Sequence, residues 1–583
     1  MNQTQSQKKS FMKNSFILMI SLFFVKISGL AFKLPIVSLI TKTGYGYFSS
    51  AYNLYTPIYI LALSGFPAAV SRLVAAEYTV RNYRNVRMIH KMALRFFAVL
   101  GLVGTAFLLF DAGWLTQLIK NPNAKYALIA LAPTVFFCCV MSSYRGYYNG
   151  LSNQTPNAVS QVVEALTKLI VGVGATYFVM RLGMNEFNTA GTVFGMQASS
   201  LQEAQEILYP YAAAGAIFGV SCASIVACAF IMLRYKFKGD GITQEELNCD
   251  NQTVLSGKAI LNKIIRVGIP ISLGAAVMQL CSLIDTLSVT RILSDLLKTN
   301  EAFIRDQFGY GSDILTERIP NMLWGCYGIA LIFYNLVPLT VQSFSTSAIP
   351  EVTESYVQSD MPRMAEKIRL TLRMSVLLGL PAGIGIIAVS RPLIAVFDPT
   401  SVSETVPILC VISIAAIFSA LCQPVNSILQ SIGKYSVPVK VMAIAAVIKL
   451  VSNLILIRIP ALNVLGAAIS SILCYGFLFI TLLLLLEKYS QIKIGFVKML
   501  LPTLLSSLIC GASAYLLIRG WEHLFPNPSR SLLAVGLIVS VVIAVIIYLF
   551  SAIFTGAITK NEIILLPKGK KLGKVLEKLH IMR

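Results

Sequence analysis

Two lysines stand inside an apolar run, FILMISLFFVKISGLAFKLPIVSLI (Phe16–Ile40), and they are the first residues whose chemistry needs a reason. Lys26 and Lys33 lie seven apart, so on a helix they share a face, with Gly29 between them. The run is long enough to cross a hydrocarbon core of about 30 Å. A lysine near the bilayer centre costs at least about 2.5–3.5 kcal/mol, so this face should look onto a wet cavity or a counter-charge. Snorkelling to a headgroup layer is the alternative; it suits Lys33 alone better than both lysines together.

Other charges recur in apolar surroundings. Glu164 and Lys168 sit four apart in SQVVEALTK, the favourable order for a self-neutralising pair on one helical turn. A cavity role is the competing reading. Asp285 lies deep in CSLIDTLSV, with Arg291 near the end of the same run. A salt bridge to Lys26 or Lys33, or a part in ion coupling, would explain Asp285. Lys449, in AAVIKLVSN, has no carboxylate near it in sequence, and so either snorkels or pairs at long range. Four lysines against Glu164 and Asp285 leave a positive surplus within the apolar runs, which suits an anion such as phosphate. A cation exporter calls for the opposite sign. Asn53 and its polar neighbours in the second run either line a cavity or make ordinary interhelical hydrogen bonds.

The elements that must position these groups are membrane helices. The 583 residues are 56% hydrophobic and 13% charged, against about 25% charged in soluble domains. About 14 runs are long enough to span: 14–42, 49–75, 92–113, 126–148, 156–181, 209–233, 264–294, 321–347, 370–392, 404–428, 437–459, 463–486, 497–519 and 531–556. The expected fold is therefore an all-α polytopic membrane protein. The net charge of +22 follows from loop lysines and arginines and does not call for nucleic acid. Two thirds of the 48 Lys+Arg fall on the side shared by the two termini, which places both termini in the cytoplasm. The lysines before the first run mimic a secretion signal, but its length and internal charges point to a retained span.

Weak internal similarity relates LSGFPAAVSRLV to STSAIPEVTESYV and EALTKLIVG to AAVIKLVSN at nearly equal offsets. It divides the chain into a six-helix lobe (1–240), a second six-helix lobe (241–490), two additional helices (491–558) and a basic amphipathic tail (559–583) suited to an anionic leaflet. His90, His523 and His580 are expected in loops or the tail, and form no metal-binding cluster. Ten of the eleven cysteines fall in apolar runs, Cys249 being the exception, and no disulfides are expected. No Walker A loop, GxSxG or HExxH occurs, so neither hydrolysis nor ATP-driven pumping is expected, nor any cofactor.

The segment YRGYYNGLSNQTPNAVSQVVEALTKLI (144–170) resembles the SpoVB/MurJ-type branch of the multidrug/oligosaccharidyl-lipid/polysaccharide exporter superfamily. So do residues 51–78, the run 268–293 and LLPKGKKLGKVLEKL (565–579). The resemblance implies two six-helix lobes around a V-shaped cavity, with the last two helices forming a groove for a lipid tail. It implies a flippase in the bacterial plasma membrane that moves an undecaprenyl-pyrophosphate-linked sugar, foremost lipid II, to the outer leaflet. Lys26 matches a basic position that the family carries near a glycine; the second such position falls near Phe32 and Lys33, and the family's Arg-Asp pair is not reproduced. Lys26, Lys33 and Lys168, with Gly29 and Asn53, are the expected pyrophosphate site, and Glu164, Asp285, Arg291 and Lys449 the charge pairs or coupling groups. The expected partners are the polyprenyl-linked glycan, membrane lipids and cell-envelope synthesis enzymes, with the chain itself a monomer. A cation-coupled multidrug antiporter and a non-transporting scaffold for cell-wall or spore-envelope synthesis are the competing functions.

Overall fold

The computed structural model describes residues 2–558 apart from 64, 152, 244–245, 248–254, 278–279, 313 and 527. Within its helices, the side chains of residues up to 23, of Lys26 and of several positions in 61–63, 270–277 and 343–357 also lie outside that description. The basic tail 559–583 is outside it as well.

Helices account for nearly all the described chain, and long apolar runs explain why. With no water at membrane depth, each backbone N–H must find a carbonyl within its own segment. Twelve helices among the described residues are long and apolar enough to cross a membrane. The sequence suggested about 14 runs, and two of the boundaries differ. Runs 14–42 and 49–75 fall within one continuous stretch, Ile27–Thr79, which leaves helical geometry at Thr41, between the two runs. Run 264–294 is helical on either side of residues 278–279, as α8 (Gly257–Val277) and α9 (Leu280–Phe308).

The contacts divide the chain into two compact units, Met1–Arg291 with Pro320–Gly325, and Ile292–Ile319 with Cys326–Arg583. In the first, α1 (Asn2–Leu63) is two helices joined at Thr41, whose backbone leaves helical geometry at φ 53, ψ −171. There follow α2 (Gly65–Thr79), α3 (Tyr83–Phe110), α4 (Ala112–Leu118), α5 (Lys125–Gly150), α6 (Thr155–Ala190) and α7 (Leu201–Lys238). Between α6 and α7 a hairpin pairs Thr192 with Gln197 and Val193 with Met196. Its tight turn is held by Glu186, which accepts from Thr192 Oγ1 and from the backbone N–H groups of Phe194 and Gly195. The unit is built on α6 against α7, α5 against α3 and α7, and α2 against α8.

The α6/α7 crossing is set by two glycines. A side chain on Gly219 would run into the backbone of Gly172, and a Cβ on Gly172 would come within 2.5 Å of the Phe32 ring. Small residues at such a crossing let helix backbones meet, which drives packing where lipid removes the hydrophobic incentive.

His90 departs from expectation. It is not in a loop but on α3, buried and stacked 4.4 Å from the Tyr147 ring, with Tyr144 and Tyr235 around it. His523 likewise belongs to a helix end, in the last turn of α17. Below this cluster the chain leaving α7 is fixed by Asp240. Arg87 donates to both its oxygens at 3.0 and 3.1 Å, and Tyr147 donates at 2.8 Å.

The second unit contains α10 (Ile319–Tyr334, of which Pro320–Gly325 belong to the first unit), α11 (Leu336–Val357), α12 (Met361–Ala388), α13 (Ser390–Phe397), α14 (Val402–Ser431), α15 (Ser436–Leu456), α16 (Leu465–Ser490), α17 (Phe496–Leu524) and α18 (Arg530–Phe554). Here α14 packs on α11 and α16, and α17 on α12 and α18. Tyr548 Oη donates to the Leu377 carbonyl at 2.6 Å, and Arg373 donates to the carbonyls of Gly556 and Ala557, closing the end of α18.

Candidate functional site

The first half of α1 is seated on α6 by a buried hydrogen bond, Ser28 Oγ to the Ala165 carbonyl at 3.1 Å. About one turn further along α1 and two along α6, Phe32 rests where Gly172 leaves room for it. This register brings together two of the expected site residues. Lys168 Nζ lies 4.8 Å from the centre of the Phe32 ring and 5.1 Å from that of Tyr52. Lys33 Nζ lies 5.8 Å from the same Tyr52 ring. Two half-buried ammonium groups therefore face one tyrosine. Neither has a carboxylate at ion-pair distance among the described residues.

Tyr52 belongs to an aromatic series that the reading of charges passed over. Tyr45, Phe48, Tyr52, Tyr55 and Tyr59 recur every three or four residues on the second half of α1, and consecutive ring centres are 5.3, 5.7, 6.3 and 5.3 Å apart. The spacing is a helical stripe visible in the sequence. The negative faces of these rings hold cations, each contact being worth about 0.5–2 kcal/mol. Lysines over rings are thus provided for without being neutralised.

Glu164 does not pair with Lys168. Its carboxylate takes Arg145 Nη2 at 2.9 Å, and Arg145 Nε donates to Ser160 Oγ at 3.1 Å. The favourable i, i+4 spacing loses to a guanidinium presented by α5, which makes shorter, charge-assisted bonds. Lys168 is released to the rings. Asn53, next to Tyr52, donates to Ser49 Oγ at 3.3 Å within its own helix. A Cβ built on Gly29 would meet nothing within 4 Å, so the lysine-bearing face is open there. Lys26 lies on the same helix, its side chain outside the described residues.

The remaining expected groups lie elsewhere. Asp285 is buried on α9, and Arg291 is exposed on that helix. Lys449 belongs to the second unit and does not snorkel. It is 1% exposed, and Nζ donates to the Ala467 carbonyl at 2.9 Å and to Ser471 Oγ at 2.6 Å, pinning α15 to α16. No group of three or more His, Cys, Asp or Glu among the described residues is arranged to hold a metal ion.

Comparison with known proteins places this geometry in context. The model of the polysaccharide biosynthesis protein family matches residues 11–355, and that of the lipid II flippase MurJ matches residues 330–528. The chain is 23% identical over 568 residues to the uncharacterized membrane protein YabM of Bacillus subtilis (strain 168), covering 97% of this chain and 96% of that protein. It is 24% identical over 486 residues to the lipid II flippase MurJ of the same organism, covering 80% and 82%. Among solved structures, that of lipid II flippase MurJ in an inward closed conformation superposes with a TM-score of 0.61 at 13% identity, over 92% of this chain and 98% of that one.

Proposed function

Because the chain belongs to the polysaccharide biosynthesis protein family, as a MurJ-type multi-pass membrane transporter and not an enzyme, we propose that it is a flippase for an undecaprenyl-pyrophosphate-linked sugar, with lipid II as the substrate. The observation that carries this reading is the pair Lys33 and Lys168 over Tyr52, two cations without a carboxylate among the described residues. A pyrophosphate offers these ammonium groups charge-assisted hydrogen bonds of about 1.5–3 kcal/mol each, more than a ring face gives, so the anion displaces the ring contacts. Lys26 is the third basic group of the proposed site. The polyprenyl tail stays in lipid while the head group enters from the cytoplasmic leaflet and leaves on the other side by alternating access. With both termini cytoplasmic, an inside-negative potential favours expulsion of the anion by about 2.3 kcal/mol per charge per 100 mV.

A cation antiporter needs an available carboxylate at this place. The nearest acidic group on α6, Glu164, is already taken by Arg145. That opposes the antiporter reading.

The test is complementation of a strain depleted of its lipid II flippase, with wild type, the double variant Lys33→Ala/Lys168→Ala, and Lys33→Glu, all at matched membrane levels. Rescue by wild type and loss in both variants is expected. Failure of well-expressed wild type moves the substrate to a different lipid-linked glycan. Full rescue by Lys33→Glu overturns anion docking.

A further inference from the structure

The second unit holds a cavity of about 410 Å³ at the end of α12 and α17, unrelated to the lysine site of the first unit. Its origin is steric. Gly511 lets α17 approach α12 so closely that a Cβ there would stand 2.7 Å from Ile384 Cγ2. Beside this contact the lining residues Ala388 and Ala512 carry side chains too small to fill the space. The result is a slot with an apolar floor and a charged rim.

The rim is basic. Arg391, on α13, is exposed and has no carboxylate at ion-pair distance among the described residues. Arg519 is held in place from one side: its Nε donates to Tyr515 Oη at 3.2 Å, and its guanidinium lies 5.4 Å from the Tyr515 ring. Glu522, 3.8 Å from Arg519, supplies the single negative charge. Two arginines and one glutamate leave one positive charge over an apolar slot.

Length fits as well. Gly511 and Arg519 are eight residues apart on α17, which is about 12 Å along the helix. One leaflet of hydrocarbon is about 15 Å thick. The slot is therefore about as long as one leaflet of hydrocarbon is thick, and it lies at the end of α12 opposite Arg363, Lys367, Arg369 and Arg373.

We infer that this slot binds one anionic glycerophospholipid. Its phosphodiester sits between Arg391 and Arg519, and one acyl chain lies along Ala512 and Gly511. A phosphodiester carries the one charge that the rim lacks, and guanidinium forks bind phosphate in a fixed geometry. A zwitterionic lipid brings its own cation to two arginines and is disfavoured.

The experiment is native mass spectrometry of the full-length protein in mild detergent. Phosphatidylglycerol and phosphatidylcholine of identical chains are the two lipid probes, with undecaprenyl phosphate and inorganic phosphate as competitors. Retention of phosphatidylglycerol about tenfold above phosphatidylcholine is expected. Arg391→Gln/Arg519→Gln brings it down to the phosphatidylcholine level, and Ala512→Phe, which fills the slot and leaves the charge alone, does the same. Ala512 is exposed, so that variant keeps the helix packing and decides the matter if the double variant fails to fold. Equal retention of the two lipids overturns the proposal, as does unchanged retention in Ala512→Phe. Displacement by inorganic phosphate reduces the slot to a simple anion site, and displacement by equimolar undecaprenyl phosphate gives it to the carrier lipid; either overturns the assignment.

Discussion

The ammonium group of Lys168 lies 4.8 Å from the centre of the Phe32 ring, and the residue after Phe32 is Lys33. One helix thus supplies both a ring that receives the neighbour's cation and a cation of its own. Since α6 and α1 are locked in register by Ser28 and Ala165, neither lysine can shift along its helix without breaking a buried hydrogen bond. Loss of either lysine should lower flipping at least about tenfold, the cost of one charge-assisted contact. Tyr52→Leu removes only ring contacts, and should change the rate by about two- to fivefold. Transport of a labelled lipid-linked glycan in proteoliposomes measures both; equal effects of Tyr52→Leu and Lys168→Ala would place the ring, not the charge, at the centre of binding.

The crossing of α6 and α7 tolerates no side chain. Gly219→Val should destabilise the first unit by about 1–3 kcal/mol through overpacking and misplace Lys168 with it. Lower melting temperature together with lower transport is the expected result. Normal melting would mean that the helices separate freely at this point.

Lys449 should behave differently from Lys33 and Lys168. Buried, and bonded to Ala467 and Ser471, it serves packing. Lys449→Ala should cost about 2–4 kcal/mol of stability and leave transport per folded molecule unchanged. Thermal melts paired with proteoliposome rates separate the two effects; a fast-melting but equally active protein is expected.

Asp240 gives a pH dependence outside the helices. Burial pushes its carboxyl up, but the Arg87 fork, the Ile242 N–H and the Tyr147 hydroxyl together bring it below the ordinary carboxylate value. A depressed acid contributes stability above the unfolded value, near about 4, and loses it as pH falls through the folded one. The melting-temperature gap between wild type and Asp240→Asn should hold steady near neutrality and shrink below about pH 4. A gap that persists at pH 3 would show that the carboxylate's charge is not what fixes this segment.

The lysines could be found from sequence because a charge in an apolar run is expensive wherever the run folds. Their partners could not. Glu164 and Lys168 have the spacing of a helical ion pair, yet which neighbour wins depends on α5 bringing Arg145 alongside, a tertiary fact. Lys449 shows the same limit: its polar partners on α16 are adjacent in space but 18 and 22 residues away in sequence. Tyr52 was legible in principle, since the aromatic stripe from Tyr45 to Tyr59 has helical spacing. It was masked because aromatics in a membrane helix ordinarily mean lipid or core. His90, placed by sequence in a loop, is buried because α3 begins nine residues earlier than its apolar stretch suggests.

Thr41 has a mechanical meaning. A branched residue at φ 53, ψ −171 occupies backbone territory that glycine alone enters freely, at a cost of about 1–3 kcal/mol. That energy is stored in one joint, between the segment carrying Lys33 and the segment carrying the tyrosines. The two segments therefore meet at a joint that the surrounding packing holds against the backbone preference of the residue itself. Thr41→Gly should relieve that strain while keeping the bend, so a thermal melt should find the variant no less stable than wild type, although glycine ordinarily costs about 1 kcal/mol inside a helix.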